Sequence, residues 1–369
     1  MSMSTAPAYR ADQVGSLLRP AEVLQARAAY GEGRMGLDEL RQVEDRAILG
    51  ALELQLQVGT DVFTDGEYRR TAWQSDMAEA VEGFVASHVE MEWRGPGGGV
   101  EGSEAKVVGG PLRQARRLTA HESAFLKEHA PGPFKMTVPS PMVFMHASFK
   151  AGVTDRFYPT RSDLLQAFIP IVRSEIAALV AEGVRYIQLD APRYTYYADP
   201  EIREQMRASG IDPEAALEEA IAADNACLAG LHRPDIILAI HLCRGNSRSR
   251  WRAEGGYDAI AEKLFTSLQV DRFLLEYDSD RAGGFEPLRF VPKGKTVVLG
   301  LVTTKEPRLE PQDALVRRIE AAARYLPLEN LALSTQCGFA SVLAGNLLSP
   351  EDQRRKLELV VATARRVWG

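Results

Sequence analysis

Residues 235–246 read DIILAIHLCRGN. The run from Ile236 to Ile240 is apolar without a break, the pattern of a β-strand covered on both faces in a parallel sheet wrapped by helices. It ends abruptly in His241, Cys243, Arg244 and Asn246. Side chains alternate along a strand, so His241 and Cys243 point to the same side. An imidazole beside a thiol at a strand end supplies two ligands of a zinc site. His-x-Cys is a short pattern on its own, so the reading turns on whether the chain supplies the missing ligands.

Working outward, the same grammar repeats. Strand candidates are ADQVGS (11–16), DVFTDGE (61–67), FKMTVPSP (134–141), YIQLDAP (186–192), 236–243, RFLLEYD (272–278), TVVLGLVTT (296–304) and LALSTQCGF (331–339). Helical patterns lie at 37–58, with Leu40, Val43, Ile48, Leu52 and Leu56 near helical spacing and Gly59 behind, and at 164–182, tolerating Pro170. Others lie at 213–231, 257–268, 311–325 and 349–367, the last with Ser349 as cap and Pro350 at its first position. Pro20 opens one more. Eight short strands separated mostly by helices predict an α/β fold of the (β/α)8 TIM-barrel type. A doubly wound sheet would also alternate, but no Gly-rich phosphate loop follows the first strand. Residues 88–118 are Gly-rich, with strand-like flanks around GPGGG. They predict a β-hairpin inserted after the second strand, a surface or lid element, in a single catalytic barrel domain of residues 1–369.

Composition narrows the function classes. With 45% apolar and 25% charged residues the chain is of soluble globular type, and a net charge of −6 argues against a nucleic-acid or anionic-membrane partner. Three cysteines are too few for a disulfide framework, and no apolar run of transmembrane length is expected. The start MSMSTAPAYRADQVGS lacks the basic and apolar regions of a signal peptide, so a reducing cytoplasm is the expected location.

In a barrel of this type the active site sits at the C-terminal ends of the strands. The polar residues there are Gly15 and Ser16, Asp65 and Glu67, Ser140, Asp190, His241 and Cys243, Glu276 and Asp278, Thr303 to Lys305, and Gln336 and Cys337. His241, Cys243, Glu276 and Cys337 can close a zinc site, and two thiolates argue against magnesium or calcium. A zinc so rich in electrons is a poor generator of hydroxide. It would instead hold a thiol substrate as thiolate, where a free alkyl thiol of pKa about 8.5 stays mostly protonated at neutral pH. Glu67 and Asp190 could hold an ammonium group, and backbone N–H groups at Gly15 and Ser16 a carboxylate. An amino acid bearing a thiol meets both demands.

In order, QVGS, DGEYRR, YIQLDAP, HLCRGN, LLEYDSDR, LGLVTTK and STQCGFAS resemble the C-terminal catalytic barrel of cobalamin-independent methionine synthase, and more closely its short single-barrel bacterial members. The resemblance spans essentially the whole chain. It implies zinc held by His241, Cys243, Glu276 and Cys337. It implies homocysteine with its amino group at Glu67 and Asp190 and its carboxylate near Gly15 and Ser16. The sulfur would join the zinc as the Glu ligand moves away, and attack the methyl group of 5-methyltetrahydrofolate or a simpler donor. Three departures stand beside this. The second, N-terminal barrel of the long enzymes has no counterpart in these residues. The segment MTVPSPMVFM lacks the tryptophan that packs on the pterin, with Met145 near that place, and Lys305 stands where the family has a histidine, a candidate catalytic residue.

Blander readings remain open. Glu276 could be an ion-pair partner of Arg244 or Arg281, Glu67 of Arg69 or Arg70. Asp190 could cap the loop at Pro192, and Lys305 could be an ordinary loop lysine. Tyr194, Tyr196 and Tyr197 could wall a donor pocket or pack under a loop. Cys227 reads as core, and His88, His121, His129, His146 and His232 have no ligand spacing. Rival functions are alkyl transfer to another thiol, such as coenzyme M with an epoxide, a non-catalytic zinc or thiol-binding barrel, and a hydrolase using Glu67 and Asp190.

Overall fold

The computed structural model describes residues 8–369. Its named strands are β1 (Val81–Trp93), β2 (Gly99–Gln114), β3 (Met136–Pro139), β4 (Tyr186–Asp190), β5 (Ile237–Leu242), β6 (Arg272–Glu276), β7 (Thr296–Val302) and β8 (Leu331–Thr335). Strands β3 to β8 form one parallel sheet in sequence order, and β1 and β2 pair as an antiparallel hairpin. The first two predicted strands are reduced to single parallel bridges, Ala11 to Leu333 and Phe63 to Phe134. The Asp61 N–H donates to the Ala11 carbonyl at 3.1 Å, joining these two segments and closing a ring of eight staves. The fold is a TIM barrel. The two segments stay short because the chain leaves extended geometry at once, with positive φ at Gly15, Gly66 and Glu67.

Strand parity then places the site. Tyr186, Ile237, Ala239, Leu274, Val298 and Ala332 pack with Val62 as an apolar cluster separate from the larger core. Two residues past Ala239 and Leu274, and four past Tyr186, the same parity brings His241, Glu276 and Asp190 to the C-terminal ends of β5, β6 and β4. Asp190 pairs with His241 in the ladder. Lower in the barrel a buried polar knot replaces apolar packing. Asp12 accepts from Lys135 at 2.9 Å, Arg272 at 3.0 Å and the Tyr186 hydroxyl at 2.6 Å.

The predicted helix at 37–58 forms as Leu37–Val58, stopped by Gly59 at φ 83°. Its buried face runs through Leu40, Glu44, Ile48, Leu52 and Gln55, whereas Leu56 is half exposed. Gln55 takes the inward place because its side chain donates to the Thr64 carbonyl and accepts from the Thr64 N–H, at 2.9 Å each. The closing helix, Pro350–Trp368, is capped as its sequence suggested, with Ser349 accepting from the Asp352 N–H at 3.1 Å. Such a cap contributes on the order of 1 kcal/mol.

Two expectations change. Arg161–Ala181 is long and apolar enough to cross a membrane by length and composition. It packs instead as a core helix, burying Leu164, Phe168, Val172, Ile176 and Leu179, and its buried Glu175 pairs with Arg117 at 2.9 Å. The hairpin begins earlier than residue 88, at Val81, after a short helix Ser75–Ala80. Its tip is tied to the loop following β5. Arg94 and Trp251 exchange backbone hydrogen bonds of 2.7 and 3.2 Å, and Arg250 grips the Glu101 carboxylate at 2.6 and 2.9 Å.

Candidate active site

The ligand atoms of His241, Cys243 and Cys337 all lie within 4.8 Å of one another, and all three residues are buried. β5 carries His241 at its end, with Cys243 just beyond it, and Cys337 follows β8. Both ring nitrogens of His241 are buried and make no hydrogen bond with the described residues. A buried imidazole left in that state costs free energy unless something else meets it, and a cation held with the two sulfurs would do so. The close approach of the sulfurs divides their protons: Cys337 is held well below the ordinary thiol range, and Cys243 is pushed well above it. Burial alone would depress His241, but neighbouring Cys337 and Asp190 raise it.

Glu276 stands outside this three-residue group. One oxygen accepts from the Arg244 N–H at 2.8 Å; the other, Oε1, is buried without a hydrogen bond and lies 3.5 Å from Arg281. Burial raises its pKa, with Asp278 adding to the shift.

Glu67 sits at φ 57°, a conformation rare outside glycine, in a buried turn. Its Oε1 accepts from Thr137 at 2.9 Å, and Oε2 is buried with no partner. Arg70 is 3.8 Å away, but that guanidinium is already held by Glu122 at 2.5 Å and Asp76 at 2.8 Å, and Arg69 pairs with Asp45 instead. Burial raises the pKa of Glu67 and pushes Asp190 up to about 7. Asp190 accepts from Gln188 at 2.8 Å. Two buried carboxylates short of cations thus face the same space.

Ser16, Glu67, Asp190, His241, Cys243 and Cys337 line one cavity of about 1080 Å³. Gly15 lies behind it, against Glu67. The N–H groups of Gly15 and Ser16 donate to nothing among the described residues. Gly338 packs so tightly on Ser16 that a Cβ there would collide with its hydroxyl.

Lys305 is not in the cavity wall. Its ammonium donates to the Gly245 carbonyl at 3.0 Å, Asn246 Oδ1 at 3.0 Å and the Arg250 carbonyl at 3.2 Å, so it holds the loop after β5. Asn246 in turn donates to the Gly338 carbonyl at 2.7 Å, linking the turns that carry Cys243 and Cys337.

Several residues of the cavity had no signal in the sequence. The hairpin, expected as a surface or lid element, supplies one wall through Phe84, Met91 and Trp93; the rest includes Trp73, Phe144, Arg193 and Arg252. The tyrosine cluster splits: Tyr196 faces the cavity, while Tyr194 and Tyr197 are buried packing residues. Met145 is buried outside the cavity, and its neighbour Phe144 lines it.

The profile of the family described as "Cobalamin-independent synthase, Catalytic domain" matches residues 10–365. The chain belongs to that family. Among relatives of this synthase-family protein, the uncharacterized protein YxjH of Bacillus subtilis is 40% identical over 98% of this chain and 95% of its own. A methionine synthase of Pyrococcus abyssi is 25% identical over 88% of this chain and 84% of its own. The crystal structure of a putative vitamin-B12 independent methionine synthase from Listeria monocytogenes covers all of both chains at 28% identity, with a TM-score of 0.75. Family membership implies methylation of homocysteine as the general chemistry.

Proposed function

We propose that this synthase-family barrel is a zinc-dependent S-methyltransferase that converts homocysteine to methionine, with 5-methyltetrahydrofolate or a simpler compound as donor. The observation that carries the reading is the His241–Cys243–Cys337 group, with its unpartnered imidazole, opening into the same cavity as Glu67 and Asp190. These three residues would hold zinc, with Glu276, whose Oε1 is without a hydrogen bond, as the carboxylate ligand. When bound, zinc would supply the Lewis acidity that keeps a substrate thiol deprotonated at neutral pH.

The chain's own residues do the rest. Glu67 and Asp190 gain a counter-ion when an ammonium enters, which favours their charged forms and fixes the amino acid's orientation. The N–H groups of Gly15 and Ser16, which donate to nothing among the described residues, would take its carboxylate. Burial of the group keeps water from competing for the methyl group. The carboxylate pair favours an amino-acid thiol over coenzyme M, whose sulfonate would meet like charge.

The deciding experiment is product formation from homocysteine with zinc-loaded protein, offered 5-methyltetrahydrofolate as mono- and triglutamate and, separately, a simple methyl donor. Methionine from the folate supports the whole reading. Methionine only from the simple donor discards the folate, and no methionine from any donor leaves a binding protein.

A further inference from the structure

Charged groups are costly to bury in a barrel interior, and the knot around Asp12 and Lys135 does more than hold staves together. Lys135 immediately precedes β3, and its ammonium donates to Asp12 Oδ1 at 2.9 Å, to Gln188 Oε1 at 2.8 Å and to the Gln13 carbonyl. An ammonium can only donate, so it fixes the Gln188 amide with the carbonyl toward Lys135 and leaves the NH2 group for acceptors. Those protons go to the Val14 carbonyl at 2.9 Å and to Asp190 Oδ1 at 2.8 Å. Strand parity supplies the path, because Gln188 and Asp190 lie on the same face of β4.

Glu67 is met by the same device. Arg70 Nη1 donates to the Thr137 hydroxyl at 2.9 Å, which turns the single hydroxyl proton to Glu67 Oε1, also at 2.9 Å. Thr137 stands opposite Gln188 in the β3–β4 ladder, so the two neutral intermediaries are neighbours. Both are buried, as are Lys135 and Arg70, and none of the four lines the cavity. In each case a cation bonds a neutral group, which bonds one oxygen of a carboxylate. The other oxygens, Glu67 Oε2 and Asp190 Oδ2, make no hydrogen bond with the described residues. A guanidinium set directly on either carboxylate would occupy both oxygens and cancel the charge that a ligand's ammonium needs. A neutral donor fixes the carboxylate and leaves that charge in place.

We propose that Thr137 and Gln188, locked by Arg70 and Lys135, are positioning residues that hold Glu67 and Asp190 so that each presents one free oxygen to the substrate's ammonium. They thereby set the preference for a thiol that carries an amino group over one that does not. The inference rests on the reading that this carboxylate pair takes the ammonium. It adds that the preference is built into the barrel interior, by residues that do not touch the substrate.

The test is a calorimetric titration of the zinc-loaded protein with homocysteine and with 4-mercaptobutyrate, which is homocysteine without its amino group. Wild type is expected to bind homocysteine at least about tenfold more tightly. Thr137→Val, which keeps the shape of the side chain and removes its proton, and Gln188→Met should each cut that preference about tenfold. Affinity for 4-mercaptobutyrate and zinc content, measured on the same samples, should stay within about twofold of wild type, because neither depends on the ammonium pocket. Thr137→Ser restores the hydroxyl and should recover most of the preference. An unchanged preference in a folded variant overturns the proposal. So does equal weakening of both ligands, which would mean that these residues only hold the barrel together. Should Gln188→Met fail to fold because Lys135 loses an acceptor, the comparison of Thr137→Val with Thr137→Ser decides. Wild-type protein that binds both thiols equally would instead strike the ammonium reading of Glu67 and Asp190, and this inference would fall with it.

Discussion

Gly15 lies directly against the carboxylate of Glu67: a Cβ at position 15 would stand 3.1 Å from Glu67 Oε1 and 3.2 Å from Thr137 Cγ2. The same oxygen takes the Thr137 hydrogen bond, so it has little room to retreat. Position 15 also has φ 153°, which an L side chain rarely adopts. Gly15→Ala is therefore expected to cost about 1–2 kcal/mol of stability and to raise the KM for homocysteine roughly tenfold by displacing Glu67. Urea unfolding and steady-state kinetics check the two effects. A KM unchanged in a folded variant would separate Glu67 from the ammonium.

How much of this was legible depends on whether one element or several had to be known. His241 and Cys243 share an unbroken apolar strand, so their common side follows from parity alone. Glu276 at the end of β6 obeys the same parity, yet its carboxylate is drawn to the Arg244 N–H rather than into the three-residue group, a contact decided by the loop after β5. The first two staves shrank to single bridges because Gly15, Gly66 and Glu67 turn the chain, which strand propensity does not register. Arg193 and Arg252 are 59 residues apart (252 − 193), on loops after different strands, so only the folded barrel brings them to one tyrosine. The hairpin was visible as a hairpin, but its docking through Arg94, Trp251 and Arg250 belongs to tertiary packing.

Cys337→Ser tests the metal group without disturbing the barrel. Serine is nearly isosteric, and the site lies at a strand end rather than among the packed helices. Bound zinc should fall to less than about a tenth of a mole per mole, with the melting temperature of the metal-free protein within a few degrees of wild type. Retention of stoichiometric zinc would remove Cys337 from the ligand set.

Lys305→Met discriminates positioning from proton transfer. The variant loses the three contacts that hold Gly245, Asn246 and Arg250, loosening the turn behind Cys243. A positioning role predicts a fall in kcat of about tenfold or more with the shape of the pH–rate profile retained. A profile that loses one limb would make Lys305 a proton donor.

Asp224 offers a pH test remote from the metal group. It is fully buried and is met by two hydroxyls, Ser140 at 2.6 Å and Tyr194 at 2.8 Å, with no cation beside it. Burial pushes its pKa up to about 6. The folded protein thus keeps this proton up to pH about 6, whereas an unfolded aspartate releases it near pH 3.9. Between those values the native state binds more protons, so this group's contribution is fully present below about pH 4 and is lost as pH rises to 6. The loss amounts to about 3 kcal/mol. Asp224→Asn cannot ionise, so its stability relative to wild type should climb by about 2 kcal/mol from pH 4.5 to 7 and then level, as followed by urea midpoints. A stability difference that does not vary with pH would mean that Asp224 finds a cation or water in solution.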